Sequence, residues 1–246
     1  KVYESQKNKI LVSVVFLEKG TSNIIMSSVE TGFVTESAGI IITARHLFDK
    51  PLVDMEKIKD EKIKSNPKFA FDYMFMGTII TDKAWINFPL FLAAIGEKGT
   101  FKDMMALKTD AATMQKAQIV GDILNPNPYN ILMKTSKFAD TDAKEGESVH
   151  ISGFAPVIAE YLDKNNKPTP VYISLINHTF PAEIIKTIDN MPVNKARVKM
   201  LYELRDSAEP GFSGGKVINN QGQTVGMTIA MTKNFVYAIS SKDIKQ

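Results

Sequence analysis

The sequence predicts an all-β protein, built as a barrel or a sandwich. Short β-branched and aromatic runs recur along most of the chain and are broken by turn residues. Helical spacing of apolar residues is confined to a few stretches. The chain has 246 residues and a 44% apolar content, enough for a real core in one large unit or two smaller ones.

The expected strands cover residues 10–17, 32–35, 40–44, 76–81, 104–108, 131–135, 149–153, 171–177, 200–204, 216–218, 224–231 and 235–239. Residues 52–64 form an imperfect amphipathic helix with Leu52, Met55 and Ile58 on one side, read as a surface insertion over the cleft. Residues 182–188 fit strand or helix. Asn125-Pro126-Asn127-Pro128 breaks any regular element and divides the chain into halves at 1–124 and 125–246. The first half carries an insertion around 49–100.

Composition excludes several chemistries. The net charge is +3, and Lys57, Lys59, Lys62 and Lys64 are mixed with Asp60 and Glu61, as on a solvated face. No basic stripe interleaved with aromatics stands out, so nucleic acid is not an expected partner. The absence of cysteine removes disulfides, a thiol nucleophile and thiolate metal sites. With three distant histidines, no metal and no other cofactor is expected. No apolar run approaches the ~18 to 20 residues that span a bilayer, so no transmembrane segment is expected. The chain begins at Lys1 rather than Met, which fits either a removed leader or a trimmed chain, and an exported, periplasmic or extracellular protein is expected.

The chemistry concentrates in Gly211-Phe212-Ser213-Gly214-Gly215. Glycines around a serine let the backbone approach a substrate carbonyl, and the serine needs a base within reach. His46 closes an apolar run, Ile40 to Ala44. The pentapeptide also fits the nucleophile elbow of α/β-hydrolases, but those place a histidine after the serine, and here the last histidine is His178. The subtilisin order needs an aspartate before the histidine, and the first aspartate is Asp49. The surviving order is His, Asp, Ser, that of chymotrypsin-like proteases. Asp103, leading into an apolar strand, is the preferred acid; Asp72 is its main rival, followed by Asp82 and Asp110. His150 reads as a core or edge histidine and His178 as solvent-facing.

Four ordered blocks make the chain resemble chymotrypsin-fold serine proteases, closest to the HtrA/DegP type. They are Thr31-Gly32-Phe33-Val34 with the run ending in Thr43-Ala44-Arg45-His46, the Asp103 block, Glu145 to Pro156, and Pro210 to Gly215 with Gly222 to Met227. Arg45 and the long segment between His46 and Asp103 depart from the pattern. The resemblance implies two six-stranded antiparallel β-barrels with the active site in the cleft between them. It implies a serine endopeptidase that acts on protein or peptide substrates through His46, Asp103 and Ser213, with an oxyanion hole at Gly211 and Ser213. Ser207, Thr228, Ile229 and Ala230 would line a primary pocket for small or medium apolar side chains. Phe212 cannot make the ion pair that trypsin-like zymogens form with a new N-terminus, so ordering of the 205–210 loop would replace it as the switch. A homo-oligomer stays open. The alternative reading is a latent or inactive protease-fold scaffold with a binding or chaperone-like role.

Overall fold

The computed structural model describes residues 1, 2, 5, 8–35, 37, 39–80, 85–96, 103–124, 135–162, 166, 168–193, 196–205 and 211–245. Its strands are β1 (Ile10–Glu18), β2 (Ile24–Val34), β3 (Ile40–Thr43), β4 (Phe71–Ile80), β5 (Trp85–Ile95), β6 (Met105–Lys108), β7 (Ser148–Leu162), β8 (Pro168–Val193), β9 (Ala196–Arg205), β10 (Lys216–Asn219), β11 (Thr224–Met231) and β12 (Phe235–Ser240). Helices α1 (His46–Ile63), α2 (Ala111–Leu124) and α3 (Ser241–Ile244) interrupt them. The strands close into two barrels, ordered β1-β2-β3-β6-β5-β4 and β10-β11-β12-β9-β8-β7. Every pairing within them is antiparallel. Closure gives every strand a neighbour on both sides within its barrel, and β7 and β8 run on beyond the second barrel as a two-stranded ribbon.

The first core follows from β1, whose residues Ile10 to Phe16 are all buried. It packs with Val34, Ile41, Phe75, Phe88 and Leu107 of the neighbouring strands. Helix α1 joins this core through Leu47, Phe48 and Met55. The Phe48 ring stacks on Phe16 at 6.1 Å between centroids. The helix therefore begins six residues before the expected start at Leu52, and His46 is its first residue. Pro51 sits within it. Proline lacks an N–H, so it removes only one bond so near the start, and burial of Leu47 and Phe48 offsets that loss.

The 49–100 segment is corrected by the ladder: β4 pairs with β1, and β5 pairs with β4 and β6, so these two strands within it are barrel wall rather than an insertion. Strand β5 escapes a pattern-based reading because it contains Pro89 and is exposed on both faces beyond Leu90. Helix α2 is likewise unexpected. Asp110 marks its start, accepting a hydrogen bond from the Thr113 N–H at 2.7 Å. The expected 131–135 strand and the Asn125–Pro128 breaker fall almost wholly outside the described residues.

The second core gathers Val149, Ile151, Ile184, Tyr202, Leu204, Phe212, Val217 and Val236. A third cluster joins Phe33 and Ile42 of the first barrel to Phe138, Met227, Ile229, Ile239 and Ile244 of the second half. Polar contacts reinforce this seam. The Lys9 ammonium, buried ahead of β1, donates to Ser152 Oγ on β7 at 2.6 Å. Asn8 Nδ2 donates to Ser136 Oγ at 3.1 Å. The segment before β1 is thus bonded to the second half of the chain. Among the described residues no helix is long and apolar enough to cross a membrane.

Candidate active site

Each side of the site comes from a different barrel. On the first, β3 runs into Ala44 and Arg45 and then the first turn of α1, which presents the His46 ring. Asp103 lies just before β6, and β6 pairs with β3. This register carries the acid to the histidine. Asp103 Oδ2 lies 2.6 Å from His46 Nδ1, and Asp103 Oδ1 accepts the His46 backbone N–H at 2.9 Å. The ring and its backbone are gripped by both oxygens of one carboxylate, which fixes the orientation of the imidazole.

Arg45 locks the same corner. Its Nε donates to Asp49 Oδ2 at 2.7 Å, its guanidinium also donates to the Gly96 carbonyl, and its backbone N–H donates to the Asp103 carbonyl at 3.3 Å. The departure from the family pattern at Arg45 thus ties α1 to the end of β5 and to the Asp103 segment. The rival acids lie elsewhere. Asp72 is exposed on β4 and paired with Leu17, Asp110 caps α2, and Asp82 lies outside the described residues.

On the second barrel, the turn Gly211 to Gly215 leads into β10 and carries Ser213. Backbone bonds hold it. Gly214 N–H donates to the Thr228 carbonyl at 2.8 Å, Gly215 N–H to the Phe212 carbonyl at 2.8 Å, and Thr228 N–H to the Gly215 carbonyl at 2.9 Å. Phe212 is buried and anchors the turn in the core, 5.3 Å from the Phe180 ring. Gly214 has φ +80°, and a Cβ there would lie 2.0 Å from the Thr31 carbonyl oxygen, so only glycine fits.

Thr31 of β2 joins the two sides. Its N–H donates to the carbonyls of Gly211 and Ser213 at 3.2 and 3.1 Å. Its hydroxyl donates to the Gly211 carbonyl at 2.8 Å and accepts the Phe154 N–H at 2.9 Å. Its own carbonyl accepts the Thr43 hydroxyl at 2.7 Å. Among the described residues no hydrogen bond takes up the N–H groups of Gly211 or Ser213. The Ser213 hydroxyl likewise has no partner among them.

A cavity of about 350 Å³ opens over this junction, lined by Glu30, His46, Lys50, Asp54, Gly211 and Ser213 among others. Glu30 has no place in the sequence-derived set. It lies on β2 beside Thr31, and its Oε1 is 2.8 Å from His46 Nε2. Burial works against a charge on His46, but the hydrogen bonds to Asp103 and Glu30 outweigh it and raise the ring to about 9. Burial raises the Glu30 carboxyl above its ordinary value, opposed by its bond to His46. The signal that could have found Glu30 was its position. A search for an acid ahead of His46 that admits glutamate meets it in the block that precedes the β3 run.

The expected pocket residues are engaged differently. Thr228 is buried with its hydroxyl bonded to the Phe212 carbonyl, and Ile229 is buried in the cluster between the barrels. Ala230 is exposed, and Ser207 lies outside the described residues, as does most of the 205–210 loop. His150 is half-buried on β7 with its Nδ1 enclosed and unpartnered among the described residues. His178 is exposed, its ring edge-on to Phe212 at 6.3 Å. Among the described residues no group of three His, Asp or Glu side chains is arranged to hold a metal ion.

Solved structures share this architecture. The Rv3671c protease of M. tuberculosis in its active form superimposes with a TM-score of 0.55 at 15% identity, over 99% of this chain and 80% of that one. The fold is shared with solved proteases, one of them described as an HtrA-type protease, which matches with a TM-score of 0.50 at 13% identity over 98% of this chain and 60% of that one. Deg5 matches with a TM-score of 0.54 at 14% identity, over 96% of this chain and 85% of its own. The serine endoprotease from Yersinia pestis matches with a TM-score of 0.50 at 13% identity, over 100% of this chain and 64% of its own. No protein-family model and no curated protein matches the sequence.

Proposed function

We propose that the chain is a serine endopeptidase that hydrolyses peptide bonds by acyl transfer to Ser213. The observation that carries this reading is the double grip of Asp103 on His46, at a cavity that His46 shares with Ser213. His46 Nε2 takes the Ser213 proton as Oγ attacks the carbonyl, then delivers it to the leaving amine. Asp103 holds the tautomer and supports the imidazolium. The N–H groups of Gly211 and Ser213 receive the oxyanion, each such donor being worth about 10² to 10³ in rate. Gly211 has φ +100°, a conformation natural to glycine, on the flank of this hole.

The substrate is a protein or peptide. Ser207 brings no fixed charge and Ala230 is small, which supports a preference for small or medium apolar side chains. Protease neighbours of HtrA type support an exported enzyme. A second reading, a resting or inactive form, is favoured by one feature, the Glu30 carboxylate on His46 Nε2.

The test is prolonged incubation with a fluorophosphonate probe, read by intact mass and peptide mapping. The expected result is a single adduct on Ser213, absent from Ser213→Ala and His46→Ala. An adduct that persists in Ser213→Ala would overturn the assignment.

A further inference from the structure

His46 carries a carboxylate on each ring nitrogen, Asp103 on Nδ1 at 2.6 Å and Glu30 on Nε2 at 2.8 Å. A serine-activating base needs an acid on one nitrogen only; the other must be open to the hydroxyl proton. In this structure that second position is filled by Glu30.

The contact is not a surface accident. The Glu30 side chain is 12% exposed. Its Oε1 faces the ring, while its Oε2 is buried without a hydrogen-bond partner among the described residues. A buried carboxylate with a bare oxygen is costly, so a residue serving stability alone would be better replaced by an apolar one. The ring is what holds the carboxylate here. The other charged groups around the pair are Asp103 beyond the ring, and Lys50 and Asp54 of α1, which line the same cavity. Ser27 and Ser28 line it from β2.

We propose that Glu30 is a built-in inhibitor of this site: while its carboxylate holds Nε2, His46 cannot accept the Ser213 proton, and the site acts only after Glu30 turns away into the cavity. The inference rests on the serine peptidase reading. Proton accounting supports it. Activation breaks the Ser213 O–H bond and forms an N–H bond at Nε2. An imidazolium between two carboxylates already has that N–H bond and has no lone pair to offer. Two carboxylates hold the ring charged up to about pH 9, which keeps it in this form near neutrality. Lys50 offers the displaced carboxylate a cation within the same cavity. Thr31, the next residue, is pinned to the serine turn and to Phe154. The β2 backbone therefore stays in place; release is a rotation of the Glu30 side chain together with loss of the Nε2 proton to water, which leaves a neutral ring with a lone pair for the Ser213 proton.

The experiment compares fluorophosphonate labelling rates at Ser213 in the parent, Glu30→Ala and Glu30→Gln, with Ser213→Ala as background. Glu30→Gln keeps the shape of the side chain and weakens its hold on the ring, guarding against a packing artefact in Glu30→Ala. Freeing a ring held charged at pH 7 should raise the rate about tenfold or more. Parent and both variants labelling at the same Ser213-dependent rate would overturn the inhibitory role and leave the peptidase reading standing. Folded Glu30 variants that stay unlabelled, like the parent, would overturn the peptidase reading and the inhibition with it.

Discussion

The two halves of the candidate site are built in opposite ways. On the first barrel all three nitrogens of His46 are engaged by side chains: Asp103 on the backbone N–H and Nδ1, Glu30 on Nε2. On the second, the Ser213 turn is held through its backbone and the buried Phe212, and the Ser213 hydroxyl has no partner among the described residues. On the reading proposed above, the base is saturated and the nucleophile is open: the scaffold is in place, the proton path is blocked, and the block is one side chain.

The most severe way to break the contrast is Asp103→Asn. It keeps the shape of the acid but disfavours the tautomer that the base needs, and labelling of Ser213 should fall by about 10⁴-fold. Little change would mean that Asp103 only braces the start of α1. Next is Thr31→Val, which removes the hydroxyl shared by Gly211 and Phe154. The Gly211 carbonyl keeps the Thr31 N–H, but the buried Phe154 N–H loses its partner, which should cost about 1–3 kcal/mol in denaturant unfolding, and labelling should fall as the serine turn loosens. Unchanged stability would place the seam between the barrels in its apolar cluster.

Stability should also depend on pH through His46. Its folded value lies above the ordinary 6.5, at about 9. The contribution of the charged ring is therefore complete below about pH 6.5 and is lost as pH rises through about 9. Denaturation midpoints of the parent and His46→Gln should converge over that window, and a constant gap would deny the charged ring. The smallest effect is expected at a rival acid. Asp110→Ala removes the cap of α2 and should lower the denaturation midpoint slightly while leaving labelling of Ser213 unchanged.

Much of the architecture was legible because strand alternation and turn chemistry are local. The strands around Ile10, Ile40, Val149, Thr224 and Phe235 appear close to where the pattern put them. Local reasoning failed where tertiary packing decides. Strand β5 has Pro89 and an irregular exposure pattern, and barrel closure holds it. Helix α1 begins before Pro51 because Leu47 and Phe48 are buried in the core. At the site, chain order paired His46 with Ser213 and left several aspartates between them, and the apolar strand after Asp103 put it ahead of Asp72, Asp82 and Asp110. Glu30 was invisible to that logic because the acid sought ahead of His46 was an aspartate, and because a charged residue in a strand reads as solvent-facing. Thr228 and Ile229 look like a pocket wall in sequence, yet their side chains serve the serine turn and the seam between the barrels.

The most direct measurement is the titration of the His46 ring by nitrogen-15 NMR in the intact chain and in Glu30→Gln. The ring should be doubly protonated near neutrality and titrate near 9 in the parent, moving down when Glu30 is neutralised. A parent ring that is neutral near pH 7.5 and titrates near the ordinary 6.5, unchanged in Glu30→Gln, would contradict a base closed on both nitrogens.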